Sequence, residues 1–123
     1  MKLNYFYRKE ADKFSFFRIP RLLFTDDEYA DLSVEAKVLY GLLLDAMSLS
    51  AKNKWIDEKN RVFILYPINQ IQEYLGVSKG KAIDCLQELE EIGLIDKRQQ
   101  GQGKPACIYV KSFLKEQSLA NMF

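Results

Sequence analysis

Only Gly76 and Val77 lie between one apolar-periodic segment and the serine that opens the next. That spacing constrains the fold more than any other feature of the chain. Ile68–Leu75 is a short segment of helical period. Ser78 opens a longer helix through Ile92, and Gly93 stops it. Serine is a strong N-cap, and glycine readily takes the left-handed geometry that ends a helix. Next come Leu94–Arg98, the glycine-rich tip Gln99–Pro105 and Ala106–Val110. Two β-prone runs around such a tip read as a hairpin. Helix, tight turn, helix, strand, tip, strand is the order of a winged helix-turn-helix. The expected class is α+β, with a small antiparallel sheet and an N-terminal strand or arm extension.

The preceding residues supply the rest of a core. Ser33 to about Ser50 reads as a helix with Ser33 as N-cap and Glu35 in its first turn. It carries two apolar stripes: Ala36, Leu39, Leu43 and Met47, then Val38, Leu42, Ala46 and Leu49. A surface helix needs one stripe, so this helix is either central or shared with a partner chain. Phe14–Ile19 is rich in β-formers and reads as a short strand limited by Pro20. Arg21–Tyr29 reads as a loop or helical turn that brings Leu22, Leu23 and Phe24 to the core. Ala51–Asn60 reads as a loop whose Trp55 packs against the sheet, and Arg61–Tyr66 as a covered strand. Residues 1–13 form an arm or strand and 114–123 a tail, within a single domain spanning 1–123.

Several function classes find no support. The chain has no histidine, so Ser-His and Cys-His nucleophile arrangements are absent. Cys85 and Cys107 form no Cys-x-x-Cys pair and no zinc ligand set; they read as reduced packing residues. No Gly-x-x-x-x-Gly-Lys phosphate loop occurs. The expectation is no enzymatic activity, no cofactor and no metal. No apolar run approaches the roughly 20 residues of a membrane helix. The N-terminus lacks a signal-peptide pattern, so a cytoplasmic location is expected.

Net charge is only +1, but it is unevenly spread. Lys97, Arg98, Lys104 and Lys111 are the charged residues between positions 97 and 111, and all are basic. A recognition helix needs polar groups near its N-terminus to reach base edges in the major groove. Ser78, Lys79, Lys81 and Asp84 meet that need. Gly80 lets a backbone approach closely, at a helix cost of up to about 1 kcal/mol. On this reading Ala82, Ile83, Leu86 and Leu89 face the core, while Gly80, Lys81, Asp84, Gln87 and Glu88 face away, with Lys81 pointing most directly outward. The wing offers Lys97, Arg98, Gln99, Gln100, Gln102 and Lys104 to phosphates and the minor groove. Lys52, Lys54 and Arg61 are candidate phosphate contacts from the loop before the strand. Arg8, Lys9, Lys13, Arg18 and Arg21 make the N-terminal region basic, as an arm toward DNA or a solvated edge.

Several motifs resemble one family. Phe17–Phe24 (FRIPRLLF), Leu32–Asp45 (LSVEAKVLYGLLLD), Met47–Ser50 (MSLS) and Asn53–Glu58 (NKWIDE) are similar to the opening of RepA-type plasmid replication initiators of Gram-positive bacteria. Gly93–Ile95, Arg98, Gln99 and Gly101, Gly103–Pro105 and Ile108–Lys111 continue the resemblance, which covers about residues 14 to 113 in one register. Ala46 stands where relatives often have arginine, and Asn60 where a turn glycine is common. The resemblance implies a winged-helix N-terminal domain that binds double-stranded DNA at origin repeats, or iterons, commonly as a homodimer. It also implies that host replication proteins are met through a C-terminal domain absent from this chain, so the chain reads as a fragment of a longer initiator. It places Ser78, Lys79 and Lys81 in the recognition helix and Lys97, Arg98, Gln99, Gln100, Gln102 and Lys104 in the wing.

Two other functions fit the bare residues. One is a winged-helix transcription regulator, which would use the same face. The other is a protein-interaction winged helix, whose wing would be uncharged or acidic.

Overall fold

The computed structural model describes residues 1–7, 14–52, 55–99, 101, 103 and 106–115, without the side chains of 50–52. Its elements are α1 (Leu22–Thr25), a 3-10 turn (Asp27–Tyr29), α2 (Val34–Lys52), β1 (Ile64–Leu65), α3 (Ile68–Leu75), α4 (Lys79–Ile92), β2 (Ile95–Arg98) and β3 (Cys107–Val110). The strands form one antiparallel sheet in the order β1-β3-β2. This is the expected α+β winged helix.

The first apolar stripe of α2 makes the centre. Ala36, Leu39, Tyr40 and Leu43 are fully buried against Ile71, Ala82, Cys85, Leu89, Ile64 and Ile108. Ser33 caps α2 as its sequence suggests, its Oγ accepting from the Ala36 N–H at 3.1 Å. Both cysteines are free and buried.

The chain leaving β3 is tied back onto the first helices. The Tyr40 hydroxyl donates to the Lys111 carbonyl, and the Tyr29 hydroxyl to the Phe113 carbonyl at 2.7 Å. Burial pushes the Tyr40 hydroxyl well above its ordinary pKa, so it remains a donor. Lys115 then reaches Asp26 at 2.8 Å and Glu28 at 3.2 Å.

Three expectations are corrected. Phe14–Ile19 is not a strand. It lies across α2 instead, where a Cβ on Gly41 would come within 2.8 Å of Ile19 Cγ1 and 2.9 Å of the Arg18 carbonyl oxygen. A β-prone sequence without a partner edge packs on a helix at the point where that helix has no side chain. Among the described residues, Arg61–Tyr66 pairs only at Ile64 and Leu65, with one further bridge between Ile56 and Val62. Phe24 is 54% exposed rather than in the core, and its ring carries the Lys37 ammonium at 4.8 Å.

Trp55 stacks on Phe63 at 6.4 Å between ring centroids, as a residue packed on the sheet should. Residues 1–7 form no strand, and their aromatic side chains are exposed. Arg8, Lys9 and Lys13 lie outside the described residues.

Candidate nucleic-acid interface

The turn between α3 and α4 is built from capping chemistry. Gly76 takes a left-handed φ of 65° and donates its N–H to the Gln72 carbonyl at 2.8 Å. Ser78 caps α4, its Oγ accepting from the Lys81 N–H at 3.1 Å. Gly93 ends α4 at φ 89°, and the Leu94 N–H reaches back to the Leu89 carbonyl at 2.9 Å. A donor five residues beyond its acceptor, with a left-handed glycine between them, makes a Schellman closure.

Core contacts then decide which face of α4 looks outward. Ala82, Cys85, Leu86 and Leu89 are buried. At about 100° per residue, Gly80, Asp84, Gln87 and Glu91 stand opposite them. Lys79 and Ile83 occupy one flank, both exposed. Ile83 was expected in the core; at 40% exposure it belongs to the open face. An added Cβ on Gly80 would meet nothing of the described residues within 4 Å, so no packing among them requires glycine there.

The other flank of α4 is held by α2, which corrects the expectation that Lys81 and Glu88 point away from the protein. Lys81 Nζ pairs with Glu35 Oε2 at 3.1 Å. Glu88 accepts from the Ser33 N–H at 2.8 Å and from the Ser33 hydroxyl at 2.7 Å. The Lys81 ammonium donates to the Glu35 carboxylate and holds it below its ordinary pKa; Lys81 is raised in turn. Glu35 and Glu88 are contributors that sequence reading missed. Ser33 and Glu88 are 55 residues apart, and no local pattern links them.

The wing divides its side chains between two faces. Residues directly opposite in an antiparallel ladder share a face, and neighbours along a strand alternate. Lys97 pairs with Ile108, on the side of the helices; Asp96 and Arg98 share the outer side with Tyr109 and Cys107. Lys97 and Gln99 therefore line a cleft of about 260 Å³ with Tyr66, Pro67, Ile68, Leu86, Ala106 and Ile108. The start of α3, the middle of α4 and the wing root meet around it.

Arg98 is on the other side. Its guanidinium binds Asp96 at 3.0 Å and lies 4.9 Å from the centre of the Tyr109 ring. Arg61 approaches the same ring at 5.0 Å and pairs with Asp57 at 2.8 Å. Asp57 also accepts from the Lys59 and Arg61 backbone N–H groups, and these bonds, the Arg61 backbone first, hold its carboxyl down at about 2. Asn60 completes that turn at φ 66°, in the left-handed geometry expected where relatives have glycine.

The candidate residues thus fall into groups. Ser78, Lys79, Gly80 and Asp84 cluster at the start of α4, and Lys97 and Gln99 line the cleft that α4 reaches at Leu86. Lys81 lies on the flank toward α2. Arg61 and Arg98 sit together on the outer sheet face. Lys54, Gln100, Gln102, Lys104 and the Lys52 side chain lie outside the described residues. Gly101 and Gly103 adopt φ 135° and 80°, as a glycine tip should. Among the described residues, Lys79 and Lys97 form no ion pair, and no cluster of potential metal ligands occurs.

Comparison with known proteins gives a consistent result. The family described as the replication initiator protein A (RepA) N-terminus matches residues 15–122. A 41 kDa protein of Lactobacillus helveticus is 30% identical over 86 residues, which cover 70% of this chain and 24% of that protein. The chain therefore spans about a quarter of the length of this relative. A solved structure described as the N-terminal domain of a DNA-binding protein aligns with TM-score 0.74 and 30% identity, covering 98% of this chain and 93% of that one. A structure of a Rep–DNA complex aligns with TM-score 0.74 and 31% identity, covering 97% and 92%. A structure of an MDR initiator gives 0.72 and 28%, covering 97% and 95%.

Proposed function

The chain belongs to the replication initiator protein A N-terminal family, and from that premise we propose that it is the duplex-DNA-binding domain of a plasmid replication initiator. The start of α4 enters the major groove. Lys79 and Asp84 meet base edges, and Gly80 allows the helix to come close. Lys97 and Gln99 grip the adjacent backbone from the wing root, with Gln100, Gln102 and Lys104 extending that contact. Phosphate contacts supply affinity and α4 supplies sequence discrimination.

One observation carries this reading. The start of α4 leaves Lys79 exposed, and the helix side of the wing root brings Lys97 to the cleft that α4 lines at Leu86, with both lysines bound to no acid of the described residues. The likeness to a Rep–DNA complex at 31% identity supports it.

The domain acts by occupying repeated origin sites, not by catalysis, in the cytoplasm where plasmid DNA lies. No helix of the described residues is long and apolar enough to cross a membrane. Host replication proteins would be engaged by a further domain. Its working form is a dimer. Support comes from Leu49 on the second stripe of α2, 56% exposed, and from Leu3, Tyr5 and Phe6, each more than 70% exposed.

Selecting bound sequences from a random duplex pool tests the reading. A single enriched motif is expected. A pool that stays random would move the domain to the protein-interaction class.

A further inference from the structure

We propose that Glu35 is a positioning residue that limits non-specific DNA binding: it engages Lys81 and keeps that cation from the phosphates of random duplex. The proposal rests on the DNA-binding reading above.

The first turn of α4 carries two lysines with different surroundings. Lys79 is exposed and meets no acid of the described residues. Lys81 is turned toward α2 and meets Glu35 at 3.1 Å. The acid is placed deliberately. Glu88 of α4 accepts two hydrogen bonds from Ser33, and Ser33 caps α2 through the Ala36 N–H. Glu35 is the second residue of the helix that this cap begins. The two helices are thereby fixed at the point where the carboxylate is delivered to the lysine. Cys85 lies fully buried between the two contacts, one turn from Lys81 and close to one turn from Glu88, so the flank packs tightly beneath the pair.

The pair stays solvated, with side chains 37% and 44% exposed. Exposed pairs are weak, so an arriving phosphate can compete for the lysine, but it must displace a carboxylate to do so. Non-specific binding consists almost entirely of such phosphate neutralisation and the counterion release that follows. Occupying one cation in advance therefore lowers affinity for every sequence. An initiator faces a very large excess of unrelated duplex, so weaker trapping there leaves more protein for its sites.

The experiment measures binding to a random-sequence duplex between 50 and 200 mM salt for the wild-type chain, E35Q, K81A and the double variant. E35Q should bind more tightly, and its log–log salt slope should steepen by about 0.9. Its advantage should then shrink about threefold across that salt range. K81A alone should leave the slope close to wild type, and the double variant should match K81A. Three outcomes would overturn the proposal: an unchanged slope in E35Q, a K81A slope lowered by a full phosphate, or a gain from E35Q that persists without Lys81. The last would mean simple repulsion by Glu35. A wild-type chain that binds no duplex would instead remove the DNA-binding reading, and this inference with it.

Discussion

α4 and the outer face of the wing sheet carry similar numbers of basic residues but use them in opposite ways. At the start of α4, the fold seats the helix through Ala82, Cys85, Leu86 and Leu89 and leaves Lys79, Gly80, Ile83 and Asp84 exposed. On the sheet, Arg61 and Arg98 flank the Tyr109 ring, each with its own aspartate. One region holds polar groups ready for an external partner. The other spends its charge closing a small aromatic layer built on Trp55, Phe63 and Tyr109. A count of basic residues in sequence therefore overstates what the wing can offer to a polyanion, because alternation along β2 sends Lys97 to one face and Arg98 to the other.

The largest expected effect comes at Gly80, where the two roles of α4 can be separated. Gly80→Ala fills open space on an exposed helix face, so it should raise unfolding free energy by about 0.4–1 kcal/mol. If the backbone meets DNA there, the same methyl should weaken duplex binding by roughly 1–3 kcal/mol, the usual range for overpacking. Chemical denaturation and a binding titration on one preparation give both numbers. A more stable variant with undiminished affinity would take Gly80 off the interface.

A smaller effect compares neighbours on one strand. Lys97→Ala should lower the salt slope of duplex binding by about 0.9. Arg98→Ala should lower it much less, since its guanidinium is already shared between Asp96 and Tyr109. Equal losses from both would show that the ion pairs of the outer face open on binding.

The smallest effect concerns that outer face alone. Asp57 is held at about 2 by its bonds to Arg61 and Lys59, below the ordinary aspartate value near 3.9. Its folded-state pKa is depressed, so its contribution is fully present above about pH 4 and is lost as pH falls through about 2. The stability gap between wild type and Asp57→Asn should hold from neutral pH to about 4 and close toward pH 2. An equally wide gap at pH 2 would detach Asp57 from the ion pair.

These contrasts also mark what the sequence could convey. The helix-turn-helix was legible because caps are local: Gly76, Ser78 and Gly93 each announce a backbone geometry that needs no distant partner. The hairpin was legible for the same reason, through Gly101 and Gly103. The orientation of the α4 flanks was not. Lys81 faces α2 because Glu35 and Ser33 arrive from another helix, and an outward angle on a helical wheel cannot register that. Ile83 looked like core by its chemistry alone. Phe14–Ile19 had the composition of a strand, but composition does not say whether a segment meets a sheet edge or a helix, and here it meets α2 at Gly41. Gly41 in the middle of a doubly apolar helix was the one local sign that a segment crosses there.

The central claim is that DNA lies against α4 and the helix side of the wing root, not against the outer sheet face. Titrating the selected duplex into labelled protein and following backbone amide resonances tests this residue by residue. The largest shifts should fall on Ser78–Asp84 and on Lys97 and Gln99, with Trp55–Phe63 nearly unmoved. Shifts concentrated at Trp55–Phe63, with the start of α4 unchanged, would contradict it.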